Sequence, residues 1–552
     1  MVEAPVCDTR LIETLQWVAE RYTTPIGAVF SRVVPPRVRV TARSSVRPPH
    51  QPYIRDGIEG AKLLDNALRN CTGGVFCVET MGSYADEVVA LVTTLGAGQA
   101  IVCVPEVRWG SDVLDRMEEL GGVRLDSAVA PSVRSEALLS MASGASLGAG
   151  GRAAVLAPAP DLQLMVLIDE GNIALKEDRS PRFDARAVAL HRCAVAGAVC
   201  VSLGRTHRLE SVHLVAQQRA VMVRPARDLA RKALPVIELC EPDDDGYSKR
   251  TRAAIAGALG SKGRVGILTP QAGYARSLWC ATCRRSVRCP RCEAGVSYDR
   301  SSRSARCPRC SFTARAPDVC PHCSSIDLKY LGAGSERLEE QLGKIFPRAR
   351  VTRTDRQTLD HLDEVIDHDD ADIYVTTWIG TKQTLRPDVD LVVVLDADRM
   401  IRRPELRAAE DAFQALNEMA AWAGPASDGG RLVIQTREPT HPALQALMRG
   451  DTTFFYEREL ELRQDLGYPP FTELIKVQAS GPAAGALFDR VKELAQQHGA
   501  TALGPVEISR GDSRVEELLL KCPDTQEIAR ALRVILPDVP KGSTLKIDAD
   551  PR

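Results

Sequence analysis

Eight of the 16 cysteines fall between Cys280 and Cys323, as four C-x2-C pairs: Cys280/Cys283, Cys289/Cys292, Cys307/Cys310 and Cys320/Cys323. A tight turn of this spacing offers two thiolates to one ion. Two such turns close a tetrahedral four-sulfur shell with no position left for a reacting water. The chemistry these residues suit is structural metal binding, with two Zn2+ ions expected and an iron–sulfur cluster as the competing use of four cysteines. Prolines inside the knuckles (Pro290, Pro308, Pro321) favour zinc, and a long chain without an export signal argues against a disulfide framework. Spacing does not decide which pairs share an ion. The nested arrangement adopted here assigns Cys280, Cys283, Cys320 and Cys323 to zinc 1, and Cys289, Cys292, Cys307 and Cys310 to zinc 2.

The same stretch is basic. Residues 276–330 carry ten arginines and one lysine against four acids, although the chain as a whole has a net charge of −1. Such a local excess suits a phosphate backbone, and a solvated surface around a structural module is the competing reading. A second basic run, Ser31 to His50, holds five arginines and no acid. Charge density nominates Arg284, Arg285 and Arg288 in the first run and Arg32, Arg37 and Arg39 in the second as DNA-contacting residues. Cys71, Cys77, Cys103, Cys193, Cys200 and Cys240 lie mostly in apolar surroundings and read as core residues, and His191, His207 and His441 are isolated.

The elements that position these groups follow from apolar patterning. With 552 residues, three or four domains are expected. Leu11, Leu15, Val18 and Tyr22 mark an amphipathic helix in a segment that ends at Pro35-Pro36. This opening reads either as a helix–turn–helix or winged-helix unit with a basic flank, or as the first helices of a larger domain followed by a basic linker. Continuous apolar runs at Gly74–Thr80, Ala100–Val104, Ala153–Ala157, Leu162–Asp169 and Ala198–Leu203 predict parallel strands covered on both faces, and Ser140–Pro160 reads mainly as a loop. A second series runs Arg264–Thr269, Asp372–Thr377, Asp390–Asp396 and Arg431–Gln435, with the cysteine segment inserted after its first strand. The expected fold class is α/β: two RecA-like doubly wound parallel-sheet lobes, a two-zinc insertion in the second, an N-terminal winged-helix-like segment and a small α+β C-terminal domain. The expected boundaries are 1–50, 51–225, 226–272 with 326–465, 273–325 and 466–552.

The order of features resembles the PriA family of primosomal replication-restart helicases. Eight cysteines are followed by GAGSERLEEQL (Gly332 to Leu342), where the family has GTERxEExL, then by Phe346-Pro347 and Arg353-Thr-Asp355. The resemblance continues through LVVVLDAD (Leu391 to Asp398), Gln435-Thr436, His441-Pro442, Tyr468-Pro469-Pro470-Phe471 and Leu503-Gly-Pro505. Upstream, Arg182 to Arg186 and Trp17 to Pro36 are similar to the family's YHARDVA-like stretch and winged-helix segment. The family's N-terminal domain, which grips the 3′ end of a DNA strand, would precede Met1; either it lies upstream of this start or the protein does without it.

The departures concern the motor. Where the family has the P-loop GVTGSGKTEVY, this chain reads VETMGSYADEV (Val78 to Val88), with Tyr84 in place of the lysine and Ala85 in place of the threonine. A P-loop needs that lysine for phosphate charge and that hydroxyl for magnesium. The Asp-Glu-Glu-His box has become Asp169-Glu170-Gly171-Asn172, and two arginines that meet the γ-phosphate are replaced by Trp422 and Pro425. An arginine finger alone is worth about 10^3 to 10^5 in turnover. The resemblance therefore implies a degenerate nucleotide site (Tyr84, Ala85, Asp169, Glu170), no catalytic residues, and no use of ATP or Mg2+. It also implies forked or branched DNA, primosome and restart proteins and single-stranded DNA-binding protein as partners, with no membrane partner. A cytoplasmic, nucleoid-associated location is expected, because the opening segment is acidic where a secretory signal is basic. A residual ATP-dependent helicase and a protein-only scaffold are the competing readings.

Overall fold

The computed structural model describes residues 6–34, 53, 56–243, 248–270, 275–291, 293, 295–299, 302–307, 312–355, 371–382, 387–403, 405–510 and 513–551. The first lobe is an eight-stranded sheet. Its order is Ile58–Glu59, Val221–Pro225, Gly74–Glu79, Val199–Gly204, Leu162–Ile168, Gln99–Cys103, Leu147–Gly150 and Val123–Arg124. Only the first pair is antiparallel; the others run parallel, so helices must cross over both faces. Two apolar clusters accordingly cover the sheet, one around Val78, Val88, Val102 and Leu203 and one around Ile101, Met165, Phe183 and Val188.

Two sequence expectations are corrected here. Ala153–Ala157 is not a strand: a 3-10 turn spans Arg152–Leu156, and the strand is the preceding Leu147–Gly150, inside the stretch read as a loop. Leu-Gly-Ala-Gly carries little apolar signal, yet all four residues are buried. Small residues are required there, since a Cβ on Gly150 would lie 2.9 Å from the Leu125 carbonyl carbon.

The second lobe is a six-stranded, all-parallel sheet in the order Val351–Thr354, Ile373–Thr376, Val265–Leu268, Leu391–Val394, Arg431–Gln435 and Val236–Cys240. The edge strand Val236–Cys240 was not expected. It makes Val265–Leu268 the second strand of this lobe in chain order. Between Leu268 and the helix Ser335–Ile345 the chain builds a five-stranded antiparallel sheet, ordered Thr313–Arg315, Ser304–Arg306, Ser297–Asp299, Ala275–Cys280 and Leu328–Ala333. Its small core is Leu278, Val287, Val296, Tyr298 and Ala305, joined by Cys289 and Cys307.

Residues 473–549 alternate strand, helix, strand, strand, helix, strand. The four-stranded antiparallel sheet has the order Thr501–Arg510, Ser513–Cys522, Glu473–Ser480, Thr544–Ala549. This is the split β-α-β arrangement, and Leu487, Phe488, Val491, Ile528 and Leu532 of its helices fill the core against Ile475, Val477 and Leu518.

The N-terminal helix Thr9–Arg21 is capped by Asp8, whose carboxylate accepts from the Leu11 amide at 2.7 Å. Its stripe of Leu11, Leu15, Val18 and Ala19 joins the core of the first lobe beside Phe183 and Val188. Trp17 stacks on His191 with ring centres 4.2 Å apart. At the end of the helix, Arg21 and Tyr22 both bond Asp550 of the last strand region, at 2.7 and 2.8 Å, and Tyr22 Oη also accepts from the Asp184 amide. Lys176 of the first lobe pairs with Asp548 at 3.0 Å. One cluster thus ties together the N-terminal helix, the first lobe and the C-terminal domain.

Candidate functional site

The strand Gly74–Glu79 ends in Thr80-Met81-Gly82-Ser83 and leads into the helix Tyr84–Thr94, the strand–loop–helix context of a phosphate-binding loop. Here the helix N-terminus is already compensated. Ser83 caps it by accepting from the Asp86 amide, and Asp86 and Glu87 lie in its first turn. Glu87 is buried and accepts from Tyr53 Oη and Thr80 Oγ1, both at 3.2 Å. The negative charges of a triphosphate would meet these carboxylates directly.

Tyr84 is 3% exposed and reaches into the second lobe, where its hydroxyl donates to Glu418 Oε1 at 2.6 Å. Glu418 sits on the helix Ala408–Ala423. Burial first, then the Glu418 carboxylate, push the Tyr84 hydroxyl well above its ordinary range, so it stays a donor. The counter-charge comes from Arg205, just past the strand Val199–Gly204. Its guanidinium lies 4.8 Å from the Tyr84 ring centre, with Nε 3.5 Å from Glu418 Oε2. Its terminal nitrogens donate to the carbonyls of Thr80 and Gly82 at 2.6 and 2.7 Å. Ala85 is buried in the core beneath.

Asp169 follows the strand Leu162–Ile168 in a left-handed conformation, φ +51°. It accepts from Asn172 Nδ2 at 2.8 Å and from Gln414 Nε2 of the second lobe. Glu170, 1% exposed, accepts from Arg186 Nε and Ser211 Oγ at 2.7 Å each, from the Arg208 amide at 3.0 Å and from His207 Nδ1 at 3.2 Å. Burial alone would raise its pKa, but Arg186, His207 and Ser211 outweigh that and hold it well below the usual carboxylate range. Both carboxylates are engaged by protein groups. Trp422 packs in the core of the second lobe with its ring 5.7 Å from that of Tyr374.

Further bonds cross between the lobes. Thr452 and Tyr456 donate to Glu79 at 3.0 and 3.3 Å, the Leu209 amide donates to Glu410 at 3.1 Å, and Arg407 pairs with Glu210. Two spaces remain. A cavity of about 300 Å3 is lined by Thr80, Met81, Arg205, Arg224, Asn417 and Thr452. One of about 630 Å3, reaching the C-terminal domain, is lined by Asp169, Trp378, Lys382, Arg403, Tyr468 and Lys476.

In the cysteine module, Cys280, Cys283, Cys320 and Cys323 converge, with all four sulfurs within 4.8 Å of one another. The Cys283 amide points at Cys280 Sγ and the His322 amide at Cys320 Sγ, at 3.5 and 3.4 Å, as a thiolate-binding knuckle requires. This group could hold a metal ion. Of the second set, Cys289 and Cys307 are buried in one cluster, while Cys292 and Cys310 lie outside the described residues. Arg284 and Arg285 are exposed on the first knuckle and Arg288 is exposed three residues on. Arg32 belongs to another part of the surface, donating to the Ser180 carbonyl at 3.1 Å and facing Glu177 at 3.9 Å. Arg37 and Arg39 lie outside the described residues.

Sequence reasoning did not find Arg205, Glu418, Gln414 or Arg186 as cleft residues, and placed Asn172 only as a departure within the box Asp169-Glu170-Gly171-Asn172. Part of the signal was present: Glu418 lies four residues before Trp422, which stands where the family has an arginine.

Residues 464–552 match the primosomal protein N C-terminal domain. Replication restart protein PriA of Treponema pallidum is 28% identical over 97% of this chain and 86% of that protein. Those of Synechocystis and Rickettsia conorii are 28% and 23% identical, over 83% and 99% of this chain and 59% and 89% of their own lengths. Among solved structures, S. cerevisiae Dbp5 bound to RNA and ADP BeF3 aligns over 72% of this chain and 91% of that chain, with 12% identity and a TM-score of 0.40. No helix among the described residues is long and apolar enough to cross a membrane. The chain thus carries a match to the primosomal protein N C-terminal domain and is similar, at 23–28% identity over most of its length, to replication restart proteins PriA.

Proposed function

We propose that this chain is a replication-restart factor that binds branched or forked DNA and supports reassembly of the replication machinery without moving along DNA. The observation that carries the non-motor part is the cleft: Tyr84 bonds Glu418, and Arg205 bonds the loop carbonyls while lying within ion-pair distance of Glu418, where a triphosphate would need free donors. Asp169 and Glu170 are likewise engaged by Gln414, Asn172 and Arg186. A carboxylate that orients magnesium or water must present free lone pairs.

DNA contact is assigned to the basic cysteine module, led by Arg284, Arg285 and Arg288, with Arg32, Arg37 and Arg39 as a second patch. Two Zn2+ ions would hold this module, one on Cys280, Cys283, Cys320 and Cys323, whose four sulfurs fit a tetrahedral shell. The other would sit on Cys289, Cys292, Cys307 and Cys310. Metal there supplies folding energy to a sheet with a core of only a few apolar residues. Primosome proteins and single-stranded DNA-binding protein are the proposed partners, and a cytoplasmic, nucleoid-associated place follows from that role.

The test pairs two measurements on the purified chain. Anisotropy with forked DNA across a salt series should show affinity that falls steeply with salt, because phosphate contacts release counterions. Phosphate release with Mg2+, ATP and the same DNA should stay at background. Release above background that disappears on Asp169→Asn would establish a motor instead. Failure to bind any DNA would favour a protein-only scaffold.

A further inference from the structure

We infer that Tyr84, Arg205 and Glu418 form an internal latch, which takes the place of nucleotide between the lobes and holds them in one fixed, closed arrangement. This goes further than the absence of hydrolysis, which a dead but open cleft would satisfy equally.

Three features of the geometry support a latch. First, the bond spans the lobes: the Tyr84 hydroxyl and Glu418 are 334 residues apart in sequence and 2.6 Å apart in space. Second, the group is dry. The side chains of Arg205 and Glu418 are 0% and 3% exposed and the Tyr84 residue is 3% exposed, so the ionic part of the contact is not screened by water. Opening the lobes would strip Glu418 of the Tyr84 hydroxyl and the Arg205 charge at once.

Third, the loop itself is committed. A phosphate-binding loop works by turning backbone amides toward the ligand. In this chain two of the loop's carbonyls, those of Thr80 and Gly82, accept from the Arg205 guanidinium, which fixes the loop around a cation of the protein's own. Arg205 therefore joins three things: the loop, the Tyr84 ring above which it stacks, and the carboxylate from the other lobe. The contacts from Thr452 and Tyr456 to Glu79, from Gln414 to Asp169 and from Arg407 to Glu210 bracket the latch along the same interface. Tyr84, Arg205 and Glu418 are positioning residues in this account, since none of them needs to touch DNA.

Hydrogen–deuterium exchange on the full-length protein tests the inference. The variants are Tyr84→Phe, which keeps the ring and removes only the hydroxyl, and Glu418→Gln, which keeps the shape and removes the charge. Each should raise exchange at least about tenfold in two segments on opposite lobes, 80–94 and 408–423, while peptides of the cysteine module and residues 473–549 stay unchanged as internal controls. In the wild type, millimolar Mg2+ and ATP should leave exchange in both segments as it was. Wild-type exchange in both variants would overturn the latch. A rise confined to the segment carrying the substitution would also overturn it, as would protection of the wild type by ATP. None of these readings involves DNA, so the latch and the DNA-binding role stand or fall separately.

Discussion

The substitution Asp550→Asn reads the cluster that joins the N-terminal helix to the C-terminal domain. Asp550 accepts from Arg21 Nε and Nη2 at 3.0 and 2.7 Å and from the Tyr22 hydroxyl at 2.8 Å. Burial pushes its pKa up, but Arg21 and then Lys176 overcome that and hold it well below the usual aspartate value. Removing one member of a buried ion pair costs about 3–5 kcal/mol. The Asp550 side chain keeps 22% exposure, which places the loss at the lower end, about 3 kcal/mol. In a unit of 150–250 residues each kcal/mol moves Tm by about 2–4 °C, so a fall of about 6–12 °C is expected in the transition that contains the first lobe. The folded-state pKa lies below the unfolded one. The stabilisation is therefore complete above the unfolded value, about 4, and is lost as pH falls through the folded value. Thermal melts of wild type and variant should differ by the same amount from pH 8 to pH 5 and converge below about pH 4. A difference under about 2 °C at pH 7, or one that vanishes between pH 7 and pH 5, would refute the reasoning.

Three further outcomes are expected. Restoring the loop letters with the double substitution Tyr84→Lys and Ala85→Thr should leave phosphate release at background, because Glu418 would capture the new ammonium and no arginine stands at Trp422 or Pro425; a clear gain in release would show that the letters alone suffice. Cys283→Ser should lower the zinc content by one ion and raise proteolysis of residues 275–333 while the melting of the two lobes is retained, which metal analysis and fragment mapping will check. Ala substitution of Arg284 and Arg285 together should weaken forked-DNA binding for every sequence alike and reduce the slope of log affinity against log salt by about 2, measured by anisotropy.

The parts of the fold legible in the sequence were those where burial on both faces writes a continuous apolar run, as in Leu162–Ile168 and Leu391–Val394. Leu147–Gly150 escaped because glycine and alanine carry no such mark, although close packing demands them. Val236–Cys240 escaped as an edge strand with only partial burial. The stripe Leu11, Leu15, Val18 announced a helix, but not that Arg21 at its end would find a carboxylate 529 residues away. In the cleft, the sequence showed what was missing, Tyr84 for a lysine and Ala85 for a threonine. What filled the space depended on the approach of Arg205 and Glu418 from elsewhere in the chain, and no spacing rule encodes that. For the cysteines the reverse held: a C-x2-C turn is local chemistry and is legible as such, while the convergence of Cys280 and Cys283 with Cys320 and Cys323 is a pairing that spacing does not decide.

The carbonyl-to-guanidinium bonds of Arg205 bear on how the cleft of the proposed non-motor protein would respond to mutation toward a phosphate-binding loop. Replacing Arg205 first would leave Glu418 buried with its countercharge gone; replacing Glu418 first would leave the guanidinium facing no anion. A lysine at position 84 introduced first would be bound to Glu418 before any phosphate arrived. Under the proposed function, each single step toward such a loop would be a loss on its own, and gains would come only after several had accumulated. The route is strongly epistatic, and the cleft behaves as a ratchet that turns one way.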